Sequence, residues 1–139
     1  MGDNMDVNVR SYLDTDFNRV NEIILNSFGY ERENISDERA HEFVACLEDI
    51  VVGYLILNEM IDIIKNKKIY HIDYVCVDPD YRGKKIGEKM IEYVIEYAKD
   101  NGGARIELTS NPTRVAAHRL YEKCGFIKRD TNVFRKELV

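Results

Sequence analysis

YRGKKIG (residues 81–87) decides how the rest of this chain is read. Before it runs YHIDYVCVDP (residues 70–79), apolar and β-branched up to Pro79, which is a strand pattern. After it, Met90, Ile91, Val94, Ile95 and Ala98 fall on one face of a helix. A basic, glycine-bearing loop therefore joins a strand to the start of an amphipathic helix. The first helical turn leaves main-chain N–H groups without intrahelical partners, and the helix dipole adds positive charge there. Such a mouth suits an anion, phosphate above all. The loop is neither G-x-x-x-x-G-K-[ST] nor G-x-G-x-x-G, so the ligand is not read as one held by a Walker or Rossmann loop.

Outward from this loop the elements alternate. Residues 7–12 read as a short strand. Asp14 or Thr15 then caps a helix with Phe17, Val20, Ile24 and Phe28 on its apolar face, and Gly29 stops it. Residues 30–40 are polar and poorly patterned. Residues 42–47 and 50–57 read as a hairpin turning near Glu48 and Asp49, without the usual glycine. Residues 60–68 are mixed in character. Residues 69–77 form the strongest strand candidate, and residues 88–100 the long helix, ended by Asn101-Gly102-Gly103. A strand over 105–109, a helix over 113–124 and two strands over 126–128 and 133–138 complete the order. A β-hairpin followed by β-α-β-α-β-β implies an α/β fold with a mixed sheet flanked by helices, not a doubly wound parallel one.

The bulk properties narrow the class. At 139 residues, 45% hydrophobic and 32% charged, the chain reads as one globular domain over 1–139. A net charge of -5 argues against a general nucleic-acid binder. No apolar run reaches membrane-spanning length. Cys46, Cys76 and Cys124 form no C-x-x-C pair, and no apolar signal segment follows Met1. The expectation is a reduced, cytoplasmic protein with no membrane or nucleic-acid partner.

VDPDYRGKKIG resembles the acetyl-CoA pyrophosphate loop of the GCN5-related N-acetyltransferases. AAHRLYEKCGF (residues 116–126) resembles that family's next motif, a helix with a tyrosine four residues before Gly-Phe. One helix and one strand separate the two motifs, which is the family's order. The VFRKEL tail and the A-A-H-R string look like the small single-domain members that acetylate small amines, including aminoalkylphosphonates.

The resemblance implies a mostly antiparallel sheet with two splayed central parallel strands and acetyl-CoA between them. It implies that main-chain groups of Val75, Cys76 and Val77 hold the pantetheine arm. The N–H groups of Arg82, Gly83, Lys84, Lys85, Ile86 and Gly87 would receive the diphosphate. Asn111 would sit at the open end of its strand, near the cofactor arm, and Tyr121 would address the CoA sulfur. Two residues depart from the family pattern. Lys85 stands where the loop usually has its first glycine, and a positive φ there would strain it. Arg114 stands where many members have asparagine.

The implied reaction is attack of a neutral amine on a thioester, by direct transfer in a ternary complex, with no metal needed. An amine with a pKa near ~10 is only about one part in a thousand neutral at pH 7, equivalent to roughly 4 kcal/mol. A base is therefore required. Asp73 is the first candidate, partly by family analogy, and His71 the second, two residues away on one strand face. A main-chain N–H near Val75, freed by a strand bulge, would stabilise the thioester oxygen. Cys76 and His71, five apart, fall on opposite faces of a strand unless a bulge changes the parity, which weighs against a Cys–His nucleophile. The acceptor is a small primary amine. A protein or peptide amine, or a non-catalytic CoA sensor, are the alternatives, and the chain acts as a monomer or homodimer.

Overall fold

The computed structural model describes residues 6–139; the reading of the chain's first five residues lies outside the described residues. Two compact units are delineated, one running to Thr109 and the other from Ser110 onward.

The first unit holds one five-stranded sheet in the order β1-β2-β3-β4-β5. These are β1 (Val7–Ser11), β2 (Ala40–Leu47), β3 (Ile50–Asp62), β4 (Lys67–Val77) and β5 (Gly103–Glu107). β1 to β4 pair antiparallel, and β5 joins β4 in parallel. The two-residue turn between β2 and β3 places both Glu48 and Asp49 at positive φ, the conformation whose twist matches a tight hairpin. The expected hairpin thus forms without glycine. β3 and β4 run further than the sequence pattern indicated. Strand pairing continues to Asp62 opposite Lys67, and Asp62 Oδ1 accepts from Ile64 N at 3.1 Å to close the turn.

α1 (Phe17–Phe28) and α2 (Ile86–Asp100) cover opposite faces of the sheet. Val20, Ile23 and Ile24 of α1 pack on Val44, Cys46, Tyr54 and Cys76. Ile86, Met90, Ile91, Val94 and Ala98 are the buried face of α2. A Cβ at Gly53 would meet Met90 Sδ and Cε at 3.0 Å, so the missing side chain lets α2 approach the sheet. Gly29, at φ +81°, caps α1 in the left-handed conformation as expected.

Three expectations are corrected. Asp14 and Thr15 do not cap α1; residues 14–16 form a 3-10 turn ahead of it. The buried carboxylate there is Asp16, which accepts from Leu13 N at 2.8 Å and from Arg10 Nη1 at 2.8 Å. β5 ends at Glu107, short of Thr109. Residues 126–128 and 133–138 form no strand, and Val133, Phe134 and Leu138 are exposed. Their alternation fits a strand, but a strand exists only with a ladder partner. Among the described residues β5 is the last strand of the sheet, and its parallel pairing with β4 is the one the fold expectation called for.

The second unit contains α3 (Val115–Lys123). Among the described residues, no helix is long and apolar enough to cross a membrane.

Candidate active site

The loop and the mouth of α2 have the form the sequence implied. Asp78 Oδ1 accepts from Asp80 N at 2.9 Å and starts a short turn over residues 79–81. Arg19 of α1 pairs with the Asp78 carboxylate and donates from Nε to Val51 O at 2.8 Å, tying the end of β4 to α1 and β3. Gly83 (φ +80°) and Lys85 (φ +60°) then turn the chain into α2, whose first bond runs from Lys89 N to Lys85 O at 3.1 Å. The Arg82 N–H, expected to join the diphosphate row, instead donates to Pro79 O at 3.5 Å and closes the short turn. Among the described residues, the N–H groups of Gly83, Lys84, Lys85, Ile86 and Gly87 have no protein partner. Ile86 is buried and anchors the helix end while these amides stay at its mouth. A diphosphate fits this arrangement: consecutive donors, a helix dipole, and the cations of Arg82, Lys84 and Lys85.

Lys85 holds the left-handed conformation that glycine normally occupies, at a cost of about 1 kcal/mol. Lys85→Gly is expected to stabilise the free protein by about 1 kcal/mol, raising Tm by about 3 °C. Removing the ammonium is expected to weaken CoA binding severalfold at low salt, read by calorimetry beside a melting curve.

The second feature is a break in β4. Tyr54 pairs with Cys76 and Ile56 with Asp73, so Tyr74 and Val75 stand opposite Leu55 alone. This is a β-bulge, with Tyr74 at φ +56°. It interrupts the ladder beside Val75, where the expected reaction calls for an unpaired amide. The last register pair of β4 with β5 is His71 with Glu107, after which β4 continues to Val77 paired with β3 alone. The edge of β4 at Val75, Cys76 and Val77 thus extends past the end of β5.

The bulge also reverses strand parity. Tyr54 and Cys76 share the α1 face, Ile56 packs on the same cluster, and Asp73 and His71 follow on that face through their pairing with Ile56 and Asn58. Cys76 and His71 are therefore on one face, not opposite ones. Cys76 is nonetheless no nucleophile: burial pushes its thiol up to about 12.

His71 Nδ1 lies 3.1 Å from Asp73 Oδ2, and Asn58 Nδ2 donates to the same oxygen at 2.7 Å. The Asp73 hydrogen bond raises the His71 pKa against the opposing effect of burial. The His71 hydrogen bond holds Asp73 below the usual carboxylate range, with Asn58 assisting. Asn58 was not singled out in the sequence; its position facing His71 becomes evident only once the long β3–β4 hairpin is in register.

A third feature was missed entirely. Arg32, Glu42 and Tyr54 form a largely buried group: Arg32 pairs with Glu42, and Tyr54 Oη donates to Glu42 Oε1 at 2.5 Å. Arg32 also lies over the Tyr12 ring at 5.0 Å. The sequence signal for it was Glu42 opening an otherwise apolar strand, EFVACL.

In the second unit, Asn111 lies in the turn before α3, beyond the end of β5. Its Oδ1 accepts from Thr113 N at 2.9 Å and Thr113 Oγ1 at 2.8 Å, so that oxygen builds the approach to α3. Tyr121 on α3 is buried, in edge contact with Phe126 at 6.1 Å between centroids. Burial raises its pKa, with Arg114 opposing, so the phenol stays protonated at neutral pH. Among the described residues, no group of three or more His, Cys, Asp or Glu is placed to hold a metal ion.

Residues 8–126 match the family model of the Acetyltransferase (GNAT) family, and the chain belongs to that family. It is 31% identical over 93 residues to the aminoalkylphosphonate N-acetyltransferase of Salmonella typhimurium, covering 67% of this chain and 60% of that one. It is 26% identical over 106 residues to glucosamine 6-phosphate N-acetyltransferase 1 of Oryza sativa, covering 73% of this chain and 62% of that one. The chain thus spans less than two thirds of either curated relative. Among solved structures, a transcriptional regulator from Bacillus halodurans superimposes with a TM-score of 0.83 at 22% identity, covering 96% of this chain and all of that one, which establishes the fold.

Proposed function

We propose that residues 1–139 act as one N-acetyltransferase domain, moving the acetyl group of acetyl-CoA to the primary amine of a small molecule. The observation that carries this is the row of unpartnered amides from Gly83 to Gly87 at the mouth of α2, in a chain of this family. Acetyl-CoA, when bound, supplies an acetyl group activated as a thioester, so that the N–C bond forms as the C–S bond breaks. The amides of residues 83–87, with Arg82, Lys84 and Lys85, hold the diphosphate. The edge of β4 at Val75, Cys76 and Val77 takes the pantetheine amides, and Asn111 is assigned to the cofactor arm by resemblance.

His71 and Asp73 act as a dyad. Nδ1–H of His71 donates to Asp73, which leaves Nε2 to take a proton from the ammonium form of the acceptor and give the neutral amine that attacks, the second nitrogen proton leaving as the amide forms. The Tyr121 hydroxyl gives one proton to the departing sulfur. A cavity of about 350 Å³ on the α1 face of the sheet is of a size to take a small amine. CoA release, followed with a thiol reagent across an amine panel, tests this. Amine-dependent release is expected; tight acetyl-CoA binding without release would favour a sensor.

A pH dependence follows. The base form needs neutral His71, so kcat/KM is expected to rise with pH through a midpoint above about 6.5. Asp73→Asn removes the partner that raises that pKa and is expected to move the midpoint down. For stability the signs differ. The His71 contribution is complete below about pH 6.5 and is lost as pH rises through its raised folded pKa. The Asp73 contribution is present above about pH 3.9 and is lost as pH falls through its lowered one. The two describe one interaction, strongest between those limits.

A further inference from the structure

The cavity on the α1 face of the sheet carries information about which amine is accepted. Its walls are apolar and aromatic: Ile24 from α1, Tyr54 and Ile56 from β3, Tyr74 from the bulge, and Tyr30. Tyr30 Oη and Tyr74 Oη approach to 3.4 Å, and Phe28 packs edge-on against Tyr74 at 5.1 Å. Two features link this cavity to the reacting centre. Tyr74 precedes Val75 in the bulge, and Ile56 pairs across the strand with Asp73.

Charge in the cavity is one-sided. Glu31 and Glu33 lie exposed on the loop at its rim, and Asp37 pairs outward with Arg39 at 3.2 Å. The one basic lining residue, among those described, is Arg32. Every nitrogen of its guanidinium is engaged: Nη1 with Glu42, Nη2 to Ile35 O at 3.1 Å, and Nε to Glu33 O at 3.0 Å. Among the described lining residues, no cation is left to receive an anionic substituent. Desolvating a phosphonate or carboxylate in such a cavity is strongly unfavourable, whereas a protonated amine approaching an acidic rim is favoured.

We propose that the acceptor is a primary amine on a compact apolar or aromatic body, bearing no phosphate, phosphonate or carboxylate. This rests on the acetyl-transfer reading above and separates the chain from its matched relatives, whose names specify an aminoalkylphosphonate and a sugar phosphate. The amine head lies toward the bulge and Asp73, and the body rests on Ile24, Ile56 and the tyrosines.

The test uses three probes: phenethylamine, 2-aminoethylphosphonate and glucosamine 6-phosphate. At saturating acetyl-CoA, kcat/KM for phenethylamine is expected to exceed both others by at least about tenfold. Glu33→Arg, on the exposed loop, supplies a free cation at the rim and is expected to narrow that gap by about threefold or more. An anionic probe that matches or beats phenethylamine in the parent protein overturns the proposal. The same three probes are titrated calorimetrically into the protein with CoA present. If none is acetylated, the transfer reading fails, but tighter binding of phenethylamine still supports the assigned chemistry, and equal or weaker binding overturns it.

Discussion

A Tyr121→Phe protein is expected to turn over about ten- to a thousandfold more slowly than its parent while binding CoA equally well. The departing group is a thiolate whose conjugate acid has a pKa near ~8.5, so it needs one proton or one strong hydrogen bond. The Tyr121 phenol is suited to supply it, because burial raises its pKa and keeps the proton on oxygen at neutral pH. Phenylalanine keeps the ring contact with Phe126 and removes only the hydroxyl, so the helix is expected to stay folded. The loss should appear in kcat, since the interaction develops only as the sulfur departs. Equal turnover of the two proteins would remove Tyr121 from the chemistry.

Gly87→Glu is expected to weaken CoA binding by at least about a hundredfold, near 2.7 kcal/mol, without loss of stability. Gly87 is the second residue of α2, inside the row of unpartnered amides. A carboxylate in a first helical turn interacts favourably with the dipole, and glutamate has a better helix propensity than glycine. The melting temperature should therefore hold or rise. The same carboxylate would occupy the place of an anion and repel a diphosphate. Opposite movement of Tm and affinity separates this from general damage to the fold. Unchanged affinity would mean that the diphosphate binds elsewhere.

The parts of this molecule that were legible in the sequence are those governed by local physics. The apolar face of α2, the αL stop at Gly29 and the glycine-bearing loop each depend on neighbours within a few residues. Even the strain at Lys85 was readable, because the turn into a helix at that point demands positive φ of whichever residue stands there. The β4 bulge was anticipated only as something the chemistry required. Its consequence for His71 and Cys76 was readable only as a condition, because parity along a strand holds only while the ladder is unbroken and the sequence does not say where it breaks. The Arg32–Glu42–Tyr54 group brings together a loop and two strands, and no spacing rule reports such a meeting. The C-terminal segment shows the converse: an alternating pattern promises a strand only where a partner edge takes it up, and in the structure none does.

Main-chain donors at the mouth of α2 holding a diphosphate are the central claim. The most direct measurement is a calorimetric titration of the folded protein with CoA, repeated with pantetheine, which lacks the diphosphate and nucleotide. Saturable binding of CoA is predicted, with a Kd at least about a hundredfold tighter than that of pantetheine. Absence of CoA binding, or equal affinity for the two, would contradict the claim.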